Sequence, residues 1–135
     1  MTPQEFFKND LFAVNAGVEL LEVRQGYACA RMKITKEHLN AGGRTQGGAL
    51  FTLADLALAA SSNSHGKLSF SLSADITFFR ASTQGDTLTA IAVEKYIGRT
   101  TGYYEVDITN QENQLIASFR SSVFRMDRQL PFTLE

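Results

Sequence analysis

The stretch TQGGALFTLADLALAASSN, residues 45–63, holds a single acid within an otherwise apolar run. Between Ala49 and Ala60, ten of the twelve residues are apolar, and the exceptions are Thr52 and Asp55. Ala and Leu dominate and no Pro interrupts the run, so the pattern predicts a helix. A helix that is apolar on nearly every side is enclosed by the rest of its protein. Because burial disfavours a charged carboxylate, we expect a raised pKa for Asp55, which makes it a candidate functional group.

The polar and small residues of this helix follow a regular spacing. They recur at every third or fourth position and form one stripe: Gly48, Thr52, Asp55, Ala59 and Ser62. Gly47 and Gly48 at the helix start expose backbone N–H groups without an intrahelical acceptor, and such donors suit an oxyanion or a phosphate. One helix holds these donors about 10 Å from Asp55. The N–H donors of one copy of the chain and the acid of a second, facing copy would therefore serve one reaction more readily than the two groups of a single helix.

The bulk properties exclude several classes of protein. A chain of 135 residues suits a single domain, residues 1–135, with its own core. The net charge is −1 and the basic residues are scattered, so we expect no nucleic-acid partner. The N-terminus is polar, and the apolar run is short and contains an acid, so neither a secretory signal nor a membrane partner is predicted. Cys29 is the only cysteine, which favours a reducing, cytoplasmic location. No metal site is predicted, because His38 and His65 are isolated.

The order of elements predicts an α+β fold. Thr2-Pro3-Gln4-Glu5 has the form of a capping box and predicts one short helix that ends near Asn9. Strands are predicted at residues 18–24, 27–34, 68–79, 87–97, 102–109 and 115–126, and a loose tail at 127–135. Residues 68–79 alternate between an apolar and a serine-rich face. The short turns imply antiparallel pairing, so we expect a curved antiparallel sheet wrapped around one long central helix.

The run HLNAGGRTQGGALFTLADLALA, residues 38–59, resembles the hotdog-fold thioesterases, in particular their phenylacetyl-CoA thioesterase branch. Leu39-Asn40, Gly47-Gly48 and Leu53-Ala54-Asp55 match motifs of that branch in order and spacing. The stretches SADITFFR, GDTL and TGYYEVDITNQ further along resemble its later strands, so the similarity covers roughly residues 16–125. One departure is Gln46, which replaces the histidine of the family and cannot carry a proton at neutral pH.

The resemblance implies a hotdog-fold acyl-CoA thioesterase that hydrolyses an aryl- or short- to medium-chain acyl-CoA to the free acid and CoA. It implies a homodimer, arranged further into a tetramer, with sites at the interface and no cofactor. Asp55 would be the nucleophile or general base, and the Gly47 N–H the oxyanion hole. Asn40 would orient the carbonyl or the water, and Ser73 would help to position the water. The substrate-binding residues would be Gln46, Gly48, Thr52 and Arg80.

Simpler alternatives stay open at this point. Asp55 could pair with an Arg or Lys. The two glycines could allow close packing of the helix on the sheet, and Gln46 could be a helix-start residue with no catalytic role. Asn40 is equally suited to a turn, and Ser73 to a polar strand face. For the whole protein, Gln46 favours a non-catalytic acyl-CoA-binding module as the second hypothesis. A hotdog hydratase is the third, but it needs a histidine beside a carboxylate in the pocket.

Overall fold

One antiparallel sheet of six strands wraps a single long helix in the computed structural model, which describes residues 1–134. The sheet has the order β1-β2-β4-β5-β6-β3, and all its neighbouring strands are antiparallel. This architecture confirms the predicted α+β fold. The elements are α1 (Pro3–Phe7), α2 (Leu11–Ala16), β1 (Val18–Arg24), β2 (Tyr27–Lys33), a 3₁₀ turn (Lys36–His38), α3 (Gly47–Ser62), β3 (Lys67–Phe78), β4 (Thr87–Ile97), β5 (Thr101–Thr109) and β6 (Leu115–Gln129).

The core lies between α3 and the inner face of the sheet. α3 packs chiefly on β2 and β4, and both strands carry small residues on that face: Ala28, Ala30, Ala90 and Ala92, all fully buried. These alanines let the helix approach the sheet closely, so that Leu53 and Leu58 are also removed from solvent. Each such leucine contributes about 1.5–3 kcal/mol through burial. The apolar run that predicted the helix is therefore the central element of the core.

The N-terminal region differs from the prediction of one short helix ending near Asn9. α1 ends at Phe7, and a second helix, α2, follows. Asp10 caps α2 by accepting the Ala13 N–H at 3.1 Å, and Gly17 ends it in the left-handed conformation with φ of 90°. A six-residue helix is too short to show an apolar period and depends on its caps and its packing on α3. The predicted order therefore lacked one helix.

The C-terminal region corrects the prediction of a loose tail from residue 127. β6 continues to Gln129, and Phe132 is only 3% exposed. The Phe132 ring packs against Phe6 and Phe7, with centroid separations of 5.5 and 6.5 Å. This aromatic cluster ties the two ends of the described chain together. Of the predicted tail, residue 135 lies outside the described residues.

β3 is an edge strand that pairs only with β6, and its predicted alternation is broken. The register shifts between Lys67 and Ser69 and again between Ser71 and Ser73. A bulge adds one residue and so exchanges the two faces of the strand. Ile76 lies opposite the buried Phe119 on the inner face, whereas Phe70 lies opposite the exposed Phe124 on the outer face. The expectation that residues 68–79 place all their apolar residues on one face was therefore wrong.

Candidate active site

The start of α3 leaves one backbone donor unpaired. Gln46 is the N-cap, and its side-chain oxygen accepts the Gly48 N–H. The Ala49 N–H donates to the Gln46 carbonyl at 2.9 Å, whereas the Gly47 N–H meets no acceptor within residues 1–134. Gly48 suits this cap because a Cβ there would lie 2.6 Å from Gln46 Oε1. The helix start is confirmed where the sequence predicted it, and the Gly47 N–H is the group that can receive an oxyanion.

Asp55 lies two turns further along α3 and is half-buried. Within residues 1–134 its carboxylate makes neither a hydrogen bond nor an ion pair, so the alternative of an Arg or Lys partner fails within one chain. Burial raises the pKa of Asp55, and the negative charge of Asp10 raises it further. The predicted direction of the pKa shift is therefore found, and the acid has no structural partner among residues 1–134.

The stripe that contains Asp55 is open at one end and closed at the other. Gly48 is exposed and Thr52 is half-buried, with the Thr52 hydroxyl donating to the Gly48 carbonyl at 2.8 Å. Ser62 at the far end is buried and accepts the Ser69 hydroxyl at 2.8 Å. The Gly48 end of the stripe is therefore more accessible to a ligand than the Ser62 end.

Asn40 organises the loop in front of α3. Its side-chain oxygen accepts the N–H groups of Gly42 and Arg44 at 2.9 and 3.1 Å, and its backbone N–H donates to the Arg44 carbonyl at 2.7 Å. These bonds fit the turn-forming alternative for Asn40. Because they use only the oxygen, the amide NH₂ can still donate to a ligand. The turn and the predicted binding role are therefore compatible.

Two cavities flank the start of α3. The first, which we call the Arg80 cavity, has a volume of about 370 Å³, and its lining includes Asn40, Arg44, Gly47, Leu50, Phe78 and Arg80. The second, the Thr52 cavity, has a volume of about 380 Å³, and its lining includes Phe12, His38, Gln46, Gly48, Ala49 and Thr52. Asp55 lines neither of them. The predicted substrate-binding residues are thus divided, with Arg80 on one side of the helix start and the other three on the opposite side.

Ser73 lies apart from both cavities within one chain. It is paired with Ser122 on β6, and the two hydroxyl oxygens are 2.8 Å apart. Ser122 is on the outer face of the sheet, since its neighbours Ser121 and Val123 are buried on the inner face. Ser73 is therefore part of a polar strand face in the single chain, and its role in positioning water stays a prediction.

Sequence reasoning missed two contributions from α2. Asp10 places a second negative charge near Asp55, and Phe12 lines the Thr52 cavity while 76% exposed. The signal that could have located this helix is the capping residue Asp10 followed seven positions later by Gly17.

Within residues 1–134 there is no group of three His, Cys, Asp or Glu side chains that could hold a metal ion. The same residues include no helix of sufficient length and apolarity to cross a membrane.

Comparison with known proteins identifies the class. A family model of the thioesterase superfamily matches residues 42–117. Over 127 residues the chain is 40% identical to a protein of Archaeoglobus fulgidus named putative esterase, a match that covers 94% of this chain and 82% of the relative. The chain therefore belongs to the thioesterase superfamily and is a thioester hydrolase.

Further relatives identify the branch. The acyl-coenzyme A thioesterase PaaI of Escherichia coli is 36% identical over 120 residues, which cover 89% of this chain and 86% of the relative. The solved structure of the E. coli PaaI protein from the phenylacetic acid degradation operon superimposes with a TM-score of 0.90 at 34% identity, covering 93% and 91% of the two chains. The hotdog fold and the PaaI-like branch indicated by the sequence resemblance are confirmed.

A second similar structure contains a ligand. It is that of a hypothetical thioesterase of Streptococcus pneumoniae with coenzyme A. It superimposes with a TM-score of 0.85 at 29% identity, and the match covers 92% of this chain and 99% of that one.

Proposed function

We propose that the chain hydrolyses aryl- or short- to medium-chain acyl-CoA thioesters as a homodimer, itself paired into a tetramer, with two sites across the dimer interface. The observation that carries this proposal is Asp55, a half-buried acid with a raised pKa and no partner among residues 1–134 of its own chain. It lies on the same helix as the unpaired Gly47 N–H. A general base and an oxyanion donor are the two groups that thioester hydrolysis needs.

The distance along α3 supports a site shared by two copies. Gly47 and Asp55 are eight residues apart, which corresponds to about 12 Å along a helix. One thioester carbonyl cannot contact both groups of the same chain at that separation. If two copies face each other, Gly47 of one lies near Asp55 of the other. The same arrangement gives two equivalent sites per dimer.

The surface around the stripe supports the same arrangement. β3 has an open backbone edge, because it pairs only with β6. Large apolar side chains are exposed on β3 and α2, and these include Phe70, Leu72, Leu11 and Phe12. An open strand edge that carries exposed apolar side chains is typical of an interface between protein chains. Pairing β3 with β3 of a second copy would cover that edge.

The proposed chemistry assigns each group one role. The Gly47 N–H binds the thioester oxygen, and Asp55 of the facing copy either attacks the carbonyl carbon itself or takes a proton from an attacking water. The carbon–sulfur bond then breaks and the CoA thiolate leaves. Where Asp55 is the attacking group, water then hydrolyses the mixed anhydride on Asp55, which releases the free acid and restores the carboxylate. Removing one such oxyanion donor typically costs about 3–4 kcal/mol in transition-state energy, and general-base catalysis contributes about 10²–10⁴ in rate.

The remaining groups bind and orient the substrate in this proposal. The amide NH₂ of Asn40 orients the carbonyl or the water, and Ser73 of a facing copy helps to hold the water. Gln46, Gly48 and Thr52 contact the acyl group in the Thr52 cavity, and Arg80 contacts the CoA phosphates. An acyl-CoA ligand is supported by the S. pneumoniae thioesterase with coenzyme A. A protein of Streptococcus mutans, 26% identical with a TM-score of 0.81, has likewise been solved bound to acetyl CoA.

Release of free thiol from a panel of acyl-CoAs tests the proposal. The panel holds phenylacetyl-CoA, benzoyl-CoA, acetyl-CoA, hexanoyl-CoA and palmitoyl-CoA, and the Asp55→Asn variant serves as the blank. We expect turnover of at least one aryl or short- to medium-chain thioester by the wild type, and turnover lower by about 10²–10⁴ in the blank. Binding of these thioesters without turnover by the wild type would instead identify a non-catalytic acyl-CoA-binding module.

A further inference from the structure

One wall of the Thr52 cavity is formed by α2, which carries none of the groups assigned to catalysis. Phe12 and Ala16 belong to that wall. Phe12 is the one phenylalanine, tyrosine or tryptophan among the described residues that line the cavity, and it is 76% exposed. Ligand cavities are lined mainly by apolar and aromatic side chains with a few polar groups. The exposed Phe12 ring is therefore placed to cover an apolar ligand in this cavity.

The position of the Phe12 ring is well defined, because α2 is held at its start and on its inner side. Asp10 caps the first turn, and Ala13 is 2% exposed where α2 packs on the body of the molecule. Gly17 ends the helix in the left-handed conformation. A short helix held in this way keeps its exposed side chains at fixed positions on the surface.

His38 joins the end of α2 to the start of α3. Its Nδ1 accepts the Thr35 N–H at 2.9 Å, so the proton of the neutral imidazole is on Nε2. Nε2 therefore donates to the Ala16 carbonyl, with 2.6 Å between the two atoms. The backbone carbonyl of His38 accepts the Gln46 N–H at 2.8 Å. These hydrogen bonds hold α2, and with it Phe12, at a defined distance from the N-cap of α3.

The Thr52 cavity suits an uncharged aryl group in size and in charge. A cavity of about 150 Å³ holds one benzene ring, so about 380 Å³ accommodates a ring together with a short linker to the thioester. Among the described residues that line it there is no lysine or arginine, whereas Glu37 is present. Hydrogen bonds from its own backbone N–H and from the Thr35 side chain hold the pKa of Glu37 below its ordinary value. An acyl group with its own carboxylate would therefore meet a negative charge and no positive partner.

We propose, on the basis of the thioesterase function above, that Phe12 determines the acyl specificity of the site by packing against the ring of an uncharged aryl thioester. Two aromatic rings in offset or edge-to-face contact attract each other beyond the effect of burial. An alkyl chain gains the burial without the ring contact, and a carboxylated chain loses solvation of its charge. The expected order of preference is therefore phenylacetyl-CoA, then hexanoyl-CoA, then glutaryl-CoA.

Phe12→Leu tests this role, because leucine keeps an apolar side chain and removes the ring. Phe12 is 76% exposed, so the change does not affect the core. The value of kcat/KM is measured for phenylacetyl-CoA and for hexanoyl-CoA. We expect the ratio of the two values to fall about three- to tenfold, as for the loss of one aromatic pair. Phe12→Tyr keeps the ring and should preserve the ratio, and an unchanged ratio in Phe12→Leu would overturn the proposal.

Leu11→Ala is the matched control for a general effect of α2. Leu11 is 66% exposed on the same helix but lines neither cavity beside the start of α3. The ratio should stay at its wild-type value, since a weakened dimer lowers the turnover of both thioesters alike. An equal fall of the ratio in Leu11→Ala and Phe12→Leu would show that α2 acts through the interface between copies, and Phe12 would lose its role in specificity.

Glutaryl-CoA tests the requirement for an uncharged acyl group. We expect its kcat/KM in the wild type to be about tenfold or more below that of hexanoyl-CoA. Glu37→Gln removes the negative charge beside the cavity and should narrow this gap. Equal values for the two thioesters in the wild type would contradict the selection for uncharged groups.

Binding measured by calorimetry in the Asp55→Asn background separates this proposal from the thioesterase proposal. Suppose that the wild type hydrolyses no thioester, but Phe12→Leu weakens binding of phenylacetyl-CoA about three- to tenfold more than binding of hexanoyl-CoA. The role of Phe12 then stands and the catalytic proposal fails. If turnover by the wild type is normal and Phe12→Leu leaves both ratios unchanged, the catalytic proposal stands and the role of Phe12 is wrong.

Discussion

The two ends of α3 are built in opposite ways. At the N-terminal end the Gly47 N–H has no acceptor in residues 1–134, and cavities lie on both sides. At the C-terminal end the chain satisfies most of its own polar groups. The Ser64 hydroxyl donates to the Ser61 carbonyl at 2.6 Å and accepts the Gly26 N–H at 2.8 Å. The chain thus completes the C-terminal end of the helix by itself, whereas the N-terminal end keeps an unpaired backbone donor between two cavities.

Charged groups follow the same division. At the C-terminal end His65 Nε2 lies 2.7 Å from Glu94 Oε1, and the Tyr104 hydroxyl donates to the same oxygen at 2.6 Å. Burial raises the pKa of Tyr104, and the hydrogen bond to Glu94 adds to the rise. Asp55 also has a raised pKa, but it has no such partners within residues 1–134. A perturbed acid or phenol is thus structural where its hydrogen bonds are made, and a candidate for chemistry where they are not.

Asp55→Asn should have the largest effect on turnover of the variants that test this contrast. The change keeps the shape of the side chain and removes the base, so we expect turnover to fall by about 10²–10⁴ while the dimer and CoA binding persist. Because the pKa of Asp55 is raised on folding, wild-type stability should fall as pH rises from the ordinary aspartate range through the raised value. The Asn variant should lack that fall and show an unchanged or higher melting temperature at neutral pH. Full activity of the variant would remove Asp55 from the mechanism.

Leu72→Lys should disrupt the proposed interface at the β3 edge of the sheet. Leu72 is 62% exposed in the middle of β3, and two charges brought together at a β3–β3 interface would repel each other. We expect light scattering to show the mass of one chain instead of two or four, together with lost turnover. Leu21→Lys on β1 is the control, since Leu21 is 43% exposed at the opposite edge of the sheet. A Leu72→Lys variant that is monomeric but fully active would refute the shared site.

Tyr104→Phe should destabilise the C-terminal end of α3 without affecting the N-terminal end. Tyr104 is fully buried, and the change leaves Glu94 with one hydrogen bond fewer. We expect the free energy of unfolding to drop by about 1–3 kcal/mol, measured by urea denaturation, with kcat unchanged. Tyr103→Phe on the same strand is the matched control, because Tyr103 is 36% exposed. A loss of kcat in Tyr104→Phe would contradict the division between the two ends.

Gln46→His, at the N-terminal end of α3, should have a smaller effect on activity. It introduces the residue that the family resemblance leads us to expect, and we anticipate unchanged or higher kcat/KM for aryl-CoA substrates. Since Gln46 also caps α3, its replacement can cost up to about 1 kcal/mol of stability, which thermal unfolding would detect. If activity changes on no substrate of the panel, Gln46 serves only to start the helix.

Asp10→Asn should have the smallest effect. Asn preserves the cap of α2 and removes the charge that helps to raise the pKa of Asp55. The pKa of Asp55 should therefore fall, and the acid limb of the pH profile of kcat/KM should move to lower pH. Glu112→Gln, in the exposed β5–β6 turn, should leave the limb in place. A limb that moves upward would mean that Asp10 does not act through its charge.

Local pattern was enough to predict the central helix and all six strands, because apolar spacing and glycine positions determine these elements directly. It was not enough for α2, which has only six residues and is defined by Asp10 and Gly17. Nor could it predict the shift between Ser71 and Ser73, which depends on how β3 meets β6. The effect of the Asp10 charge on the pKa of Asp55 could not be predicted for the same reason, because 45 positions separate the two residues in the sequence.

The two edges of the sheet limit how many copies can add to one another. β3 presents exposed Phe and Leu side chains, whereas β1 at the other edge carries Glu19, Glu22 and Arg24 on exposed positions. Charged side chains on an edge strand oppose further strand addition. Once two β3 edges have paired, both edges of the joined sheet are β1. Association through strand edges therefore closes at two copies and cannot continue into a fibre.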